Sequence, residues 1–345
     1  MLGPLRPSGM ERMLVSAAPF WPEGSRHVVI GQGDDHPFRA DLEAAGYRVV
    51  TVPPIRSRDG VAALSRALSE GKPDLLHVHT EGAFFNAVRA TRRHVRVVRT
   101  VHSIFPVRGR RSWSRQLQSR LVDRYVDVFI APSSDVASNE AHIGRECTTI
   151  LNWVGQGFID AEPPSKAGDY AIIVGNSSPI KNHVLALEAV LDAGVPLAFV
   201  GDESGASTRE REILAQVESE GRLLCRGVRD PLPWLLGAGV FLMPSRHEGM
   251  GVALAEALQM GVPALIADAP GLRWAASIEG VTALPYERSV WARAILEALG
   301  AGHGTRGWHP DFSPARGATE YTEVYSSVVR TNRPGKVAGE RADDR

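Results

Sequence analysis

Two glutamates, Glu248 and Glu256, stand eight positions apart in MPSRHEGMGVALAEALQMGVP, residues 243–263. Gly249, Met250 and Gly251 follow the first of them, at the mouth of the apolar run VALAEALQM. That run is apolar almost all round, which predicts a largely buried helix whose only charge is Glu256. A buried carboxylate is costly unless something hydrogen-bonds to it, and the paired hydroxyls of a ribose would do so. The two glycines let backbone approach a ligand closely. The amides of Gly251, Val252, Ala253 and Leu254 would form a helix N-terminus suited to a phosphate or pyrophosphate. Plainer readings compete. Ser245-x-x-Glu248 fits a capping box, although that places both glycines in the first helical turns. Glu256 could equally reach solvent from a helix edge.

The elements around these acids must hold them at one edge of a sheet. GVFLMP precedes them and GVPALIAD follows, so the unit reads strand, loop, helix, strand. In open α/β sheets ligands bind at the carboxyl edge of the strands, where Glu248 falls. The same alternation runs through the whole chain and predicts parallel, doubly wound sheets. Strands are expected at 27–31, 47–52, 74–79, 95–102, 127–132 and 148–152, with helices between them, for example 60–70 and 113–125. Residues 153–168, rich in Gly and Pro, read as a linker. A second series starts at DYAIIVGN and passes through PLAFVGD, RLLCRG and GVFLMP to PALIAD, with helices expected at about 182–193, 207–219 and 287–299. The division is therefore 1–152 and 168–310, with a final helix near 311–330 and a disordered tail over 331–345.

Composition narrows the class. The chain has 345 residues, 43% hydrophobic and 23% charged, which suits a globular protein of two domains. Lys plus Arg and Asp plus Glu are equal at 39 each, so global charge implies no nucleic-acid partner. The two cysteines, Cys147 and Cys225, supply neither metal-ligand spacing nor a disulfide framework, which makes a reducing cytosol the expectation. MLGPLRPSGM lacks the apolar core of a signal peptide. The longest apolar stretch, near 252–269, is broken by Glu256, Gln259, Gly261 and Pro263 and is not a membrane span.

The 243–263 segment resembles the Glu-x7-Glu signature of retaining glycosyltransferases of the GT-B fold, family 4 in particular. The family pattern, roughly PS-x-x-EG-x-G-x-x-x-x-EA-x-x-x-G-x-P, is matched at each of those positions. The resemblance extends from about Gly9 to about Arg330, more strongly in the second half. It implies two Rossmann-like domains facing a cleft, with a nucleotide-diphosphate sugar, UDP- or GDP-linked, bound mainly to the second. It implies that Glu256 accepts from the ribose and that Glu248 holds donor-sugar hydroxyls. Lys181, in VGNSSPIKNH, matches a family lysine that reaches the diphosphate, and a mobile ammonium suits a leaving phosphate. His102, closing VRVVRTVH, matches a histidine that faces the donor sugar. Gly227 and Val228 match a pair set against the nucleotide base. The final helix would cross back onto the first domain.

Three departures qualify the match. The first loop, LRPSGMERM, has Gly9 where the family has two glycines, and the strand before it is at most the stub MLGPL. Asn176 occupies the position of a family arginine, so the diphosphate would be held more weakly or by an arginine elsewhere. No glutamate stands near Trp274 in APGLRW.

On the acceptor side, residues 91–120 carry nine arginines and no acid, with Phe105 and Trp113 interleaved. Arg108, Arg110 and Arg111 would attract an anionic acceptor or an anionic membrane surface; a solvated basic helix is the plain alternative. His77 and His79 share one strand face. His79 is expected on the pocket wall and His77 in a structural role, with no third ligand in view for a metal. The expectation is a metal-independent, retaining sugar transfer to a small-molecule, glycan or lipid-linked hydroxyl, with no cofactor, in the cytoplasm or peripherally at the inner membrane face. A nucleotide-sugar 2-epimerase and a non-catalytic partner subunit are the alternatives on the same fold.

Overall fold

The computed structural model describes residues 1–6, 8–81, 84–91, 95–104, 117, 121–163, 168–301 and 309–330. The chain forms two α/β units. In the C-terminal unit the strands are β7 (Ala171–Val174), β8 (Leu197–Val200), β9 (Leu223–Gly227), β10 (Val240–Met243), β11 (Ala264–Ala267) and β12 (Val281–Leu284). They form one sheet in the order β12-β11-β10-β7-β8-β9, every pairing parallel. Each residue of β8, β10 and β11 is buried. Helices cover both faces, so these strands read as continuous apolar runs. The helix His183–Ala193 packs against Arg288–Ala301 on one side. β12 was not anticipated, because VTAL is short and lacks alternation.

The N-terminal unit is pieced together. Strands β1 (Val28–Gln32) and β2 (Arg48–Val52) form a parallel pair. Strands β3 (Leu75–Val78), β4 (Arg96–Thr100), β5 (Val128–Ala131) and β6 (Cys147–Thr149) form a second parallel sheet in chain order. The stub Met1–Leu5 lies between the two groups. Leu2 N donates to Ile30 O, Gln32 N to Gly3 O, and His79 N to Met1 O. Leu2 and Leu5 are buried with Val29, Leu42 and Tyr47.

Two segments pass between the units and brace each other. Within the expected linker, Trp153 donates its indole N–H to Met13 O at 2.8 Å, and Gln156–Asp160 forms a short helix. The helix Pro314–Arg330 packs on the N-terminal unit: Tyr321 and Tyr325 reach Thr100 and His77. Arg316 donates to Leu151 O, and Val154 N donates to Phe312 O, so the outgoing and returning chains are bonded together. Among the described residues no helix is long and apolar enough to cross a membrane.

Candidate active site

The helix of the Glu-x7-Glu segment is Val252–Gln259, and its N-cap is Gly251 with φ 80° and ψ 78°. An L side chain rarely adopts that left-handed backbone, which accounts for glycine at 251. The helix starts seven residues after Ser245, so the capping-box reading fails. Ser245 is buried, and its carbonyl accepts from the Tyr286 hydroxyl. Gly249 has a different reason. A Cβ there would lie 2.0 Å from the carbonyl oxygen of His102, on the other unit. The two walls of the cleft therefore meet backbone to backbone beside Glu248.

Glu248 is anchored twice. Its amide donates to Pro270 O at 3.0 Å, and its Oε1 accepts from Lys181 Nζ at 2.8 Å. Lys181 comes from the loop after β7, where Asn182 adopts φ 53° and donates to Pro244 O. The family-matched lysine and the first glutamate are thus brought into one ion pair, with 12% of the glutamate side chain exposed. The amide of Leu254 turns back onto Gly251 O, which narrows the free amides to the residues just before it.

The Glu256 carboxyl has no hydrogen-bond partner among the described residues. Burial pushes its carboxyl up to about 8, opposed in part by the Arg12 guanidinium. Arg12 belongs to the helix Gly9–Ala17, capped by Ser8, whose hydroxyl bonds Glu11 and accepts from Met10 N. Gly9 begins that helix and faces Val252 across the cleft, since a Cβ there would sit 3.7 Å from Val252 Cγ2. The Val252 and Ala253 side chains are half-buried, and Met250 is buried.

The departures resolve into other contacts. Asn176 Oδ1 accepts from Asp202 N at 2.9 Å, so it ties down the loop after β8 and brings no charge. Trp274, in the segment where no glutamate stands, donates its indole N–H to Met250 O at 2.9 Å. Gly227 ends β9 with φ 90°, and Val228 beside it is 59% exposed.

Sequence reasoning missed the residues that join the halves. Ser133 donates its hydroxyl to Gly249 O at 2.6 Å, and Asp135 Oδ2 accepts from the amides of Gly271 and Arg273 at 2.9 and 3.1 Å. Both follow β5 directly, so the strand-edge rule applied to DVFIAPSSD pointed to them. Glu81 was also overlooked, although HVHTE contains it. Its carboxylate accepts from His102 N at 2.7 Å and from Arg99 at 2.9 Å.

His102 sits half-buried with His79, Nδ1 of His79 lying 3.0 Å from Nε2 of His102. Burial, with Arg99 nearby, drives His102 down to about 3, so it is neutral at ordinary pH. His77 is buried, with its nitrogens on Tyr325 and Thr100. Among the described residues no group of three or more side chains is arranged to hold a metal ion. Arg108, Arg110 and Arg111 lie outside the described residues. Two members of the basic stretch are not free to attract an anion: Arg96 is paired with Asp127 and Arg99 with Glu81.

Comparison with known proteins places this geometry. A model of Glycosyltransferase Family 4 matches residues 7–154, and one of Glycosyl transferases group 1 matches 169–301. A D-inositol 3-phosphate glycosyltransferase of Jonesia denitrificans is 28% identical over 149 residues, 39% of this chain. The match spans 35% of that relative's length. Among solved structures, HepE of Anabaena in complex with UDP and glucose superposes with TM-score 0.70 at 19% identity, covering 94% of each chain. A glycosyltransferase of Rickettsia africae gives TM-score 0.73 at 13% identity, covering 96% of this chain and 99% of that one. With a family match on each half and the two-unit architecture shared across nearly the full length, the chain belongs to the family 4/group 1 glycosyltransferases and has the GT-B fold.

Proposed function

We propose that the protein transfers a sugar from a nucleotide-diphosphate sugar to an acceptor hydroxyl, with retention of anomeric configuration and without a metal ion. The observation that carries this reading is the Lys181–Glu248 pair, seated beside the N-terminus of the 252–259 helix and against the backbone of His102. A diphosphate entering there meets an ammonium and helix-end amides, which can stabilise a leaving anion in place of a metal. Glu248, released from Lys181, accepts from hydroxyls of the donor sugar. Glu256 accepts from the ribose hydroxyls, which supply the hydrogen bonds its site lacks. His102, neutral, contacts the sugar from the opposite wall. The bond from the anomeric carbon to the diphosphate oxygen breaks, and the acceptor oxygen bonds the carbon on the same face. The acceptor proton passes to the departing phosphate. Closure of the units excludes water, which would otherwise hydrolyse the donor.

The HepE structure carries UDP and glucose, which makes UDP-sugars the first donors to try. The acceptor is a small molecule, a glycan or a lipid-linked hydroxyl, and Arg108, Arg110 and Arg111 favour an anionic one. Glu248→Ala provides the test. Donors are first screened by thermal shift, since a ligand that binds only the folded state raises its stability. Transfer is then followed by product analysis, with and without acceptor and with a chelator. Wild type should give an anomerically retained product in chelator, and Glu248→Ala none. Full activity in the variant, or loss of activity in chelator, overturns the assignment. Donor turnover to an epimer without acceptor would establish the epimerase chemistry instead.

A further inference from the structure

The three histidines of the N-terminal wall form a stack that the proposed reaction uses only at its tip. His77 is the base. Its Nδ1 lies 2.7 Å from the Tyr325 hydroxyl and its Nε2 lies 2.8 Å from Thr100 Oγ1, so both ring nitrogens are spent. His79 lies over it, ring centroids 3.9 Å apart. His102 comes next, 5.3 Å from His79 by centroids with planes 25° apart. Here the hydrogen bond runs directly between imidazoles, His79 Nδ1 to His102 Nε2 at 3.0 Å.

That contact restricts what His102 can do. A hydrogen bond between two imidazole nitrogens requires a proton on one and a lone pair on the other. Two imidazolium rings would instead repel. Burial lowers all three histidines, which keeps them neutral. The Nε2 of His102 is occupied, so the nitrogen left for a ligand is Nδ1. Which nitrogen of a neutral histidine carries the proton is set by the hydrogen bond that the other makes. The main chain of His102 is fixed separately, by Glu81 accepting from its amide while Arg99 holds Glu81. Arg99 in turn lies 3.7 Å over the Phe84 ring. Backbone and ring of His102 therefore have independent supports, and the support of the ring is His79.

We infer that His79 is a positioning residue that locks the His102 ring in one orientation and one tautomer, so that Nδ1 of His102 faces the donor sugar. The inference rests on the reading of His102 as a donor-sugar contact, and its test separates the two. The full chain is labelled with 15N-histidine and compared as wild type, His79→Phe and His79→Gln. In wild type the two ring nitrogens of His102 should give well-separated protonated and unprotonated resonances, unchanged between about pH 6 and 8. In His79→Phe they should move toward an averaged position. His79→Phe should lose roughly 10- to 100-fold in kcat with donor KM within about twofold, the size of effect that a misplaced group produces. His79→Gln, which keeps a donor and an acceptor, should recover part of kcat at an unchanged melting temperature. Identical His102 resonances in wild type and both variants overturn the inference, as does an unaltered kcat in both. If the wild type turns over no sugar nucleotide, the proposed reaction falls while the resonances still decide whether His79 fixes the ring.

Discussion

The two walls of the cleft are built in opposite ways. The C-terminal wall draws Glu248, Glu256 and the helix-end amides from one segment between β10 and β11, in a sheet of six strands with a continuous core. The N-terminal wall draws His102, Glu81, His79 and Gly9 from separate places, in a unit whose sheet is two groups joined by residues 1–5. On one side backbone geometry does the positioning, through a helix start and two glycines. On the other, side chains hold side chains: His79 on His102, Tyr325 on His77, Ser8 on Glu11. A contiguous wall can be changed residue by residue without loss of the frame. A networked wall transmits each change to its neighbours.

The largest expected effect is on the contiguous wall. Lys181→Ala removes the ammonium that we propose faces the leaving diphosphate and should lower kcat by about 10²–10³-fold. The fold should remain intact, because the lysine is partly exposed and its amide still bonds Ser178 O. Steady-state kinetics beside circular dichroism would check both statements, and a loss confined to KM would mean uniform binding rather than leaving-group stabilisation.

Gly249→Ala strikes where the walls meet. The added methyl would overlap His102 O, and relieving that overlap should cost about 1–3 kcal/mol. Chemical denaturation measures the cost. If the comparison of walls is right, the C-terminal sheet keeps its stability and the damage appears as separation of the units, seen by small-angle scattering.

The last effect is a slope with pH and concerns Glu256. Burial pushes its carboxyl up to about 8 in the folded chain, from the ordinary 4.5. The folded state therefore holds a proton that the unfolded chain releases. Stability of the ligand-free protein should decline as pH rises from about 4.5 to about 8 and level off beyond. Glu256→Gln removes that slope, so the variant should gain melting temperature over wild type at pH 8 and little at pH 4.5. It should also bind the donor less well. Parallel pH–melting curves for the two proteins, and a donor titration, give the check.

The contiguous wall was also the legible one. Spacing placed Glu248, Glu256 and the glycines at a helix start on a sheet edge, because these are local properties of one stretch, while their roles came from the family resemblance. Strands β1 to β11 followed from alternation and apolar runs to within a few residues. What stayed hidden needs contacts between distant segments. MLGPL was read as at most the stub of a strand, and nothing local in it says that residues 1–5 fill the space between β1 and β3. Nothing in APGLRW says that Trp274 steadies Met250. Nothing local announces that the carboxamide oxygen of Asn176 accepts from Asp202 N on the next loop. The basic stretch was read as a uniform surface, yet Arg96 and Arg99 are paired inside the fold.

Ser133 and Asp135 reach from the turn after β5 to grip Gly249 on one side of Glu248 and the 271–273 turn on the other. The glutamate thus takes its aim from a domain it does not belong to. A C-terminal half grafted onto a foreign partner would carry Lys181, Glu248 and Glu256 and still lose its bearing, unless the new partner offered a hydroxyl and a carboxylate two residues apart at the same strand end. On the proposed function the donor site is not a portable cassette, and recombining its halves would begin with that short turn.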